Sequence, residues 1–139
     1  MSRVRQYLDA HPDDSGQLIV DDGVAGGRVY AGFVSRWCDH RDALRRLAGT
    51  DAGVEVFAVA QSSADGKRLA DRVMAAGTAL RRAGIQLATA GVDARTGLTS
   101  VTTPNDPATA REAILRELGL NADAPLVVTR GSVIVPAAP

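Results

Sequence analysis

The sequence predicts a single α+β domain spanning residues 1–139. Short apolar runs rich in Val, Ile and Phe favour β-strands, and stretches with apolar residues three and four apart favour amphipathic helices between them. Gly, Pro, Asn and Asp stand at most junctions between these segments, as turns and caps require. A chain of this length can bury one core of its own.

The first fifty residues predict a helix, a β-hairpin and a second helix. Val4, Tyr7 and Leu8 have helical spacing near the N-terminus. Residues 17–22 and 28–34 have strand composition and flank a Gly-rich turn, which is typical of a hairpin. Asp39 is a candidate N-cap for the helix that follows, and Gly49 ends that helix.

Residues 53–135 predict strand, helix, hairpin, helix and strand. The run 54–60 is almost continuously apolar, which favours a central strand, and a helix of about 20 residues then extends to Gly84. Strands 85–92 and 98–103 flank the turn 93–97. A helix follows, with Asp106 as its N-cap, Pro107 as its first residue and Gly119 at its end. Residues 125–135 then form a closing strand.

The order of these last elements, βαββαβ, is the ferredoxin-like plan. We therefore expect an antiparallel sheet with helices on one face, formed by residues 53–135 and preceded by the extension 1–50. This plan supports many unrelated activities, so the fold alone does not predict a function.

Composition disfavours several classes of partner. The 16 Lys and Arg residues balance 16 Asp and Glu residues, and aromatic residues are only 4%, so neither charge nor base stacking favours nucleic acid. No apolar stretch reaches the roughly 20 residues that a membrane-spanning helix needs. The N-terminus does not resemble a signal peptide and Cys38 has no partner for a disulfide, so we expect a cytoplasmic protein.

The residues that could carry chemistry are few. Cys38 and His40 stand two apart and resemble a nucleophile with its base, but two neighbours at a strand-to-helix junction need not meet. His11 is the only other histidine, so a zinc site would need scattered carboxylates. We predict no catalytic residue, no metal and no cofactor; an enzyme that uses Cys38 and His40, or the stretch 28–36, is the weakest alternative.

The hairpin that contains Gly91, Val92, Asp93, Thr96 and Gly97 resembles that of the prodomains of bacterial chymotrypsin-like secreted proteases, the streptogrisin and alpha-lytic type. In those prodomains a similar Gly-Val-Asp-x-x-Thr-Gly hairpin follows a long helix. The similarity extends loosely over residues 54–135 through the order of elements.

The resemblance implies a non-enzymatic protein-binding module, an inhibitor or folding chaperone that acts in trans on a serine protease. Such a module would use its closing strand and tail as a sheet edge that adds a partner's strand. The corresponding residues of this chain are Val127, Thr129, Arg130, Ser132, Val133, Ile134 and Val135. The alternative is a small-molecule-binding regulatory domain or a homodimer formed by self-pairing of the same edge.

Overall fold

The computed structural model describes residues 2–21, 28–48 and 53–131. Contacts between Cα atoms divide the chain into two compact units. The first unit comprises residues 1–65 together with 93–98, and the second comprises 66–92 together with 99–139. Each unit has its own three-stranded sheet and its own apolar core. That the chain acts as a single domain stays a prediction.

The first unit consists of two helices and a mixed sheet, in the order α1 (Ser2–Asp9), β1 (Ser15–Asp21), β2 (Arg28–Phe33), α2 (Trp37–Ala48) and β3 (Gly53–Ala58). β2 is the middle strand, antiparallel to β1 and parallel to β3. The buried side chains of α1 and α2 form one core with those of β2 and β3: Val4, Leu8, Val29, Ala31, Phe33, Leu44 and Val54. The predicted pairing of the two strands and both flanking helices are confirmed, although α2 begins before Asp39; the turn 22–27 and Gly49 lie outside the described residues.

The second unit repeats this plan. Its elements are α3 (Ser63–Ala75), which begins in the first unit, α4 (Gly77–Arg82), β4 (Thr89–Val92), β5 (Thr99–Thr103), α5 (Pro107–Leu118) and β6 (Leu126–Arg130). β5 is the middle strand, antiparallel to β4 and parallel to β6. In both sheets a hairpin is followed by a helix that crosses to a parallel third strand. The core of this unit contains Leu69, Val73, Leu80, Ile85, Val101, Ala110, Ile114, Leu115 and Leu126.

Local signals place α5 as predicted. The Asp106 carboxylate accepts the backbone N–H of Thr109 at 3.1 Å and its hydroxyl at 2.8 Å, and Pro107 follows as the first helical residue. Gly119 ends the helix with a left-handed conformation, φ 67°. Each signal acts over a few residues, so the sequence alone is sufficient to set both ends of this helix.

The long helix predicted before Gly84 is two shorter helices. Ala76 separates α3 from α4, and its N–H is shared between the carbonyls of Arg72 and Val73. Gly77 is the first residue of α4. The flexible backbone of glycine lowers the cost of interrupting a helix at this position, even though the apolar spacing continues through it.

The α+β class is confirmed, whereas the ferredoxin-like sheet is not. That plan requires β3 to share a sheet with β4 and β5, but β3 pairs with β2, and β6 lies directly beside β5. Both sheets contain a parallel pair, so the prediction of an antiparallel sheet is wrong. The run 54–60 is not central either, since β3 is at an edge with Phe57 half-buried. Apolar composition suits a strand in either position and does not identify its neighbour.

Candidate functional site

β6 lies at the edge of the second sheet, with β5 as its one neighbour in that sheet. Among the residues predicted to bind a partner, Val127, Thr129 and Arg130 lie on this strand, and the last two are exposed. The remaining four predicted residues lie outside the described part of the chain: Ser132, Val133, Ile134 and Val135. The described part of the predicted surface is therefore one continuous edge strand.

Two hydrogen bonds fix which backbone groups of β6 face β5. The N–H of Thr99 donates to the carbonyl of Pro125 at 2.9 Å, and the N–H of Gly131 donates to the carbonyl of Thr103 at 2.9 Å. Because alternate residues of a parallel strand bond to the same neighbour, Val127 and Thr129 direct their N–H groups toward β5. The N–H groups of Leu126, Val128 and Arg130 accordingly face away from β5.

Side chains alternate along the same strand. Leu126 is buried in the core and Val128 packs against that core, whereas Val127 is half-buried and Thr129 exposed on the opposite face. Val127 and Thr129 thus share a face of the sheet, and Arg130 belongs to the other. The structure brings the predicted residues onto one strand but not onto one surface.

The hairpin turn has the geometry that its sequence predicts. The Asp93 carboxylate accepts the N–H groups of Arg95 at 2.8 Å and Thr96 at 3.4 Å, while Gly97 donates its N–H to the Asp93 carbonyl at 2.8 Å. Gly97 has φ 73°, the left-handed region that glycine enters without strain. The turn segment 93–98 belongs to the first unit, where the Thr96 carbonyl accepts the N–H of Ala60 at 2.8 Å.

A chain of polar side chains forms a second candidate site, in the first unit. Nε2 of His40 lies 2.5 Å from the Asp14 carboxylate, and Nδ1 lies 2.8 Å from the Tyr7 hydroxyl. The other oxygen of Asp14 accepts both the backbone N–H of Ser35 at 2.8 Å and its hydroxyl at 2.9 Å. The ring of His40 stacks on Phe33, with centroids 3.9 Å apart and planes 10° from parallel.

The hydrogen-bond partners assign the proton positions of this cluster. An ionised carboxylate only accepts, so Nε2 of His40 carries a hydrogen and donates it to Asp14; in the neutral ring the Tyr7 hydroxyl then donates to Nδ1. Partial burial raises the pKa of Asp14, but the hydrogen bonds from His40 and Ser35 outweigh it and leave that pKa below its usual value. Burial raises the pKa of Tyr7 above its ordinary 10.0.

This order of groups, carboxylate to imidazole to hydroxyl, is that of an acid–base relay. Burial raises the pKa of Tyr7, which disfavours its phenolate form. His40 is 2% exposed, and both of its ring nitrogens are occupied. We interpret the cluster as a polar clamp that joins α1, the α1–β1 turn and α2.

Replacing Asp14 should make the free energy of unfolding less dependent on pH in the acidic range. The folded-state pKa of Asp14 is depressed, so its stabilisation is fully present above the unfolded value of 3.8 and is lost as the pH falls through the lower folded value. Asp14→Asn should lower the free energy of unfolding by about 2 kcal/mol at neutral pH. The difference from the natural protein should narrow below pH 3.8 in urea titrations.

Asp13→Asn is the matched control, because Asp13 is exposed and carries no hydrogen bond within the described residues. It should change the free energy of unfolding by less than about 0.5 kcal/mol at any pH. A deficit of Asp14→Asn that stays constant down to pH 2, or an equal deficit in Asp13→Asn, would contradict the role given to Asp14.

The pairing of Cys38 with His40 is not observed. The thiol of Cys38 is free and exposed at the start of α2, whereas His40 is buried and bonded to Asp14 and Tyr7.

Within the described ranges, no three His, Cys, Asp or Glu side chains are grouped closely enough to hold a metal ion. Likewise, none of the helices that the structure describes has the length and apolarity to cross a bilayer.

A groove of about 490 Å³ also lies in the first unit. It is bounded by α1, the turn that follows, β1 and the first turn of α3. Opposite charges come from Arg5 and Asp9, and an apolar wall is formed by Leu8, Pro12 and Leu18. The N-terminus of α3 contributes Ser63 and Ala64. The rest of the lining is Ser15, Gly16 and Gln17. Sequence reasoning missed this groove, because its walls are remote in the chain.

Comparison of the chain with protein-family models, with curated proteins and with solved structures finds no match. Nothing in these comparisons links the chain to protease prodomains.

Proposed function

We propose that this protein is a non-enzymatic protein-binding module that accepts an extended segment of its partner along the open edge of β6. The observation that carries the proposal is the composition of this edge strand. Leu126, Val127, Val128 and Thr129 form four uncharged residues in a row, with β5 on one side. On the other side, the N–H of Leu126 already donates to the Ala124 carbonyl at 2.7 Å and its carbonyl accepts Nε of Arg111 at 3.3 Å, so the open edge begins at Val128. Unprotected edges of this kind readily pair with another strand.

The other edge strands are less suited to this role. β1 has an irregularity in its pairing between Ser15 and Leu18, which distorts an edge, and β3 presents the exposed carboxylate of Glu55. β4 is only four residues long and contains Gly91. β6 also carries one charge, but Arg130 is its last residue, so β6 combines regular pairing with four uncharged residues in a row.

The sharpest form of the proposal names a chymotrypsin-like serine protease as the partner. It is supported by the resemblance of the hairpin that contains Asp93 and Gly97, and by the bonds that shape this turn. A protease partner would be inhibited or helped to fold. A partner of another class, or a second copy of this chain, would use the same backbone groups.

Proline scanning of β6 tests the edge directly. Val128→Pro removes an N–H that faces away from β5, so it should cost only the packing of the Val128 side chain, about 1 kcal/mol, while binding through the edge weakens by roughly tenfold or more. Val127→Pro removes an N–H that bonds β5 and should destabilise the second sheet by about 3 kcal/mol. Thermal unfolding distinguishes the two variants, and pull-down from lysate and culture fluid identifies the partner to titrate.

The outcomes separate the possible partners. Recovery of a protease whose affinity is lost in Val128→Pro would support the sharpest form, and a concentration-dependent dimer lost in Val128→Pro would assign the edge to self-association. An unchanged affinity of the recovered partner for a folded Val128→Pro variant would reject the edge of β6 as the binding surface.

A further inference from the structure

We propose that the groove of the first unit binds a free α-amino acid with an apolar side chain. This inference goes beyond the edge-strand function and does not rest on it. A volume of about 490 Å³ lies within the range of natural small-molecule sites, roughly 300 to 1,000 Å³, and leaves room for a large side chain. The inference depends on the two charges and the apolar wall of the groove.

Two opposite charges line the groove without neutralising each other. Arg5 and Asp9 are one helical turn apart on α1 and both contribute to the lining, yet no ion pair joins them in the described part of the chain. A basic residue one turn before an acidic residue is the less favourable order for pairing along a helix. Both side chains are exposed and therefore remain available to a ligand.

A zwitterion complements this arrangement better than a simple anion does. The carboxylate of an amino acid matches the guanidinium of Arg5, which can hold it through two parallel N–H bonds, while the ammonium matches Asp9. A phosphate or an unsubstituted carboxylate would satisfy Arg5 but would be repelled by Asp9. Leu8, Pro12 and Leu18 then offer an apolar surface for the side chain of the ligand.

The opposite wall of the groove is the first turn of α3. The hydroxyl oxygen of Ser63 is buried and has no hydrogen-bond partner among the described residues, which is costly for a polar atom. Ser62 caps α3 by accepting the N–H of Asp65 at 3.1 Å, and the N–H groups of Ser63 and Ala64 precede this capped N–H in the first turn of the helix. Both residues line the groove.

Titration of the full chain with leucine, followed by ¹H–¹⁵N NMR, tests this inference. At about 10 mM, leucine should shift the amide signals of the groove residues, since this concentration saturates a site with a Kd of about 100 μM. N-acetyl-leucine lacks the ammonium and leucinamide lacks the carboxylate, and each should bind roughly ten- to a hundredfold more weakly. Inorganic phosphate should leave these signals unchanged.

Variants identify the groups responsible. Arg5→Gln should weaken leucine binding and abolish the preference for leucine over leucinamide, and Asp9→Asn should abolish the preference over N-acetyl-leucine. Arg3→Gln is the matched control, because Arg3 is exposed on the same helix and does not line the groove. Arg5, Asp9 and Arg3 are all exposed, so these replacements should leave the thermal unfolding curve nearly unchanged.

Three results would overturn the inference: no shift of groove signals with any standard amino acid, equal binding of leucine and leucinamide, or equal weakening by Arg3→Gln and Arg5→Gln. Shifts caused by phosphate alone would reassign the groove to an anion. None of these results bears on the edge of β6, whose test uses Val128→Pro.

Discussion

Gly97→Ala should destabilise the protein by about 3 kcal/mol. Gly97 has φ 73°, and a Cβ atom at this position would lie 2.7 Å from Cβ of Val59 and 2.8 Å from the carbonyl oxygen of Gln61. The positive φ costs alanine roughly 1 kcal/mol. The two short distances force the backbone of the turn to move. Urea unfolding measures the loss.

Two other glycines separate these costs. Gly119 has φ 67° but nothing within 4 Å of the position of a Cβ atom, so Gly119→Ala should cost only the conformational part, about 1 kcal/mol. Gly77 lies in α4 with the same open space and no positive φ, so Gly77→Ala should stabilise by about 0.5 kcal/mol. Equal losses in Gly97→Ala and Gly119→Ala would show that the close approach to Val59 and Gln61 contributes nothing.

The elements set by neighbouring residues were predictable from the sequence. Asp106 and Gly119 bound α5 through bonds within a single turn, and Asp93 and Gly97 shape the hairpin in the same way. Strand pairing was not predictable, because the side chains of β3 record how apolar its surroundings are but not which strand supplies them. The same limit explains why the repeated plan of the two sheets escaped detection, since it consists of pairings and not of similar residues.

In the polar cluster, the burial of His40 was predictable from the sequence, but its hydrogen-bond partners were not. His40 precedes Leu44 by four residues, so it lies on the apolar face of α2, and this spacing is a signal that the ring is buried. Its partners could not be inferred, because Asp14 is 26 residues away and Tyr7 is 33 residues away in the chain. Residues this distant in the chain are brought together by the pairing of β1 with β2 and the packing of α1 against α2. The groove depends in the same way on the approach of Ser63 and Ala64 to α1 and β1.

His40→Ala should lower the free energy of unfolding by about 3 to 4 kcal/mol at neutral pH. The change removes a ring stacked on Phe33 and leaves a cavity in a core where Phe33 is fully buried. It also deprives the Asp14 carboxylate of a donor and the Tyr7 hydroxyl of its acceptor. Urea unfolding at neutral pH gives the difference from the natural protein.

His11→Ala is the control for this prediction. His11 is half-buried, its Nδ1 bonds the backbone carbonyl of Tyr7 at 2.8 Å, and its ring centroid lies 4.3 Å from that of Tyr7 and 5.2 Å from that of His40, so its loss should cost about 1 kcal/mol. Combining His40→Ala with Asp14→Asn separates the lost hydrogen bond from the cavity. If the bond matters, the double variant should be about 1 to 2 kcal/mol more stable than the sum of the single losses implies, whereas additive losses would assign the effect of His40 to packing alone.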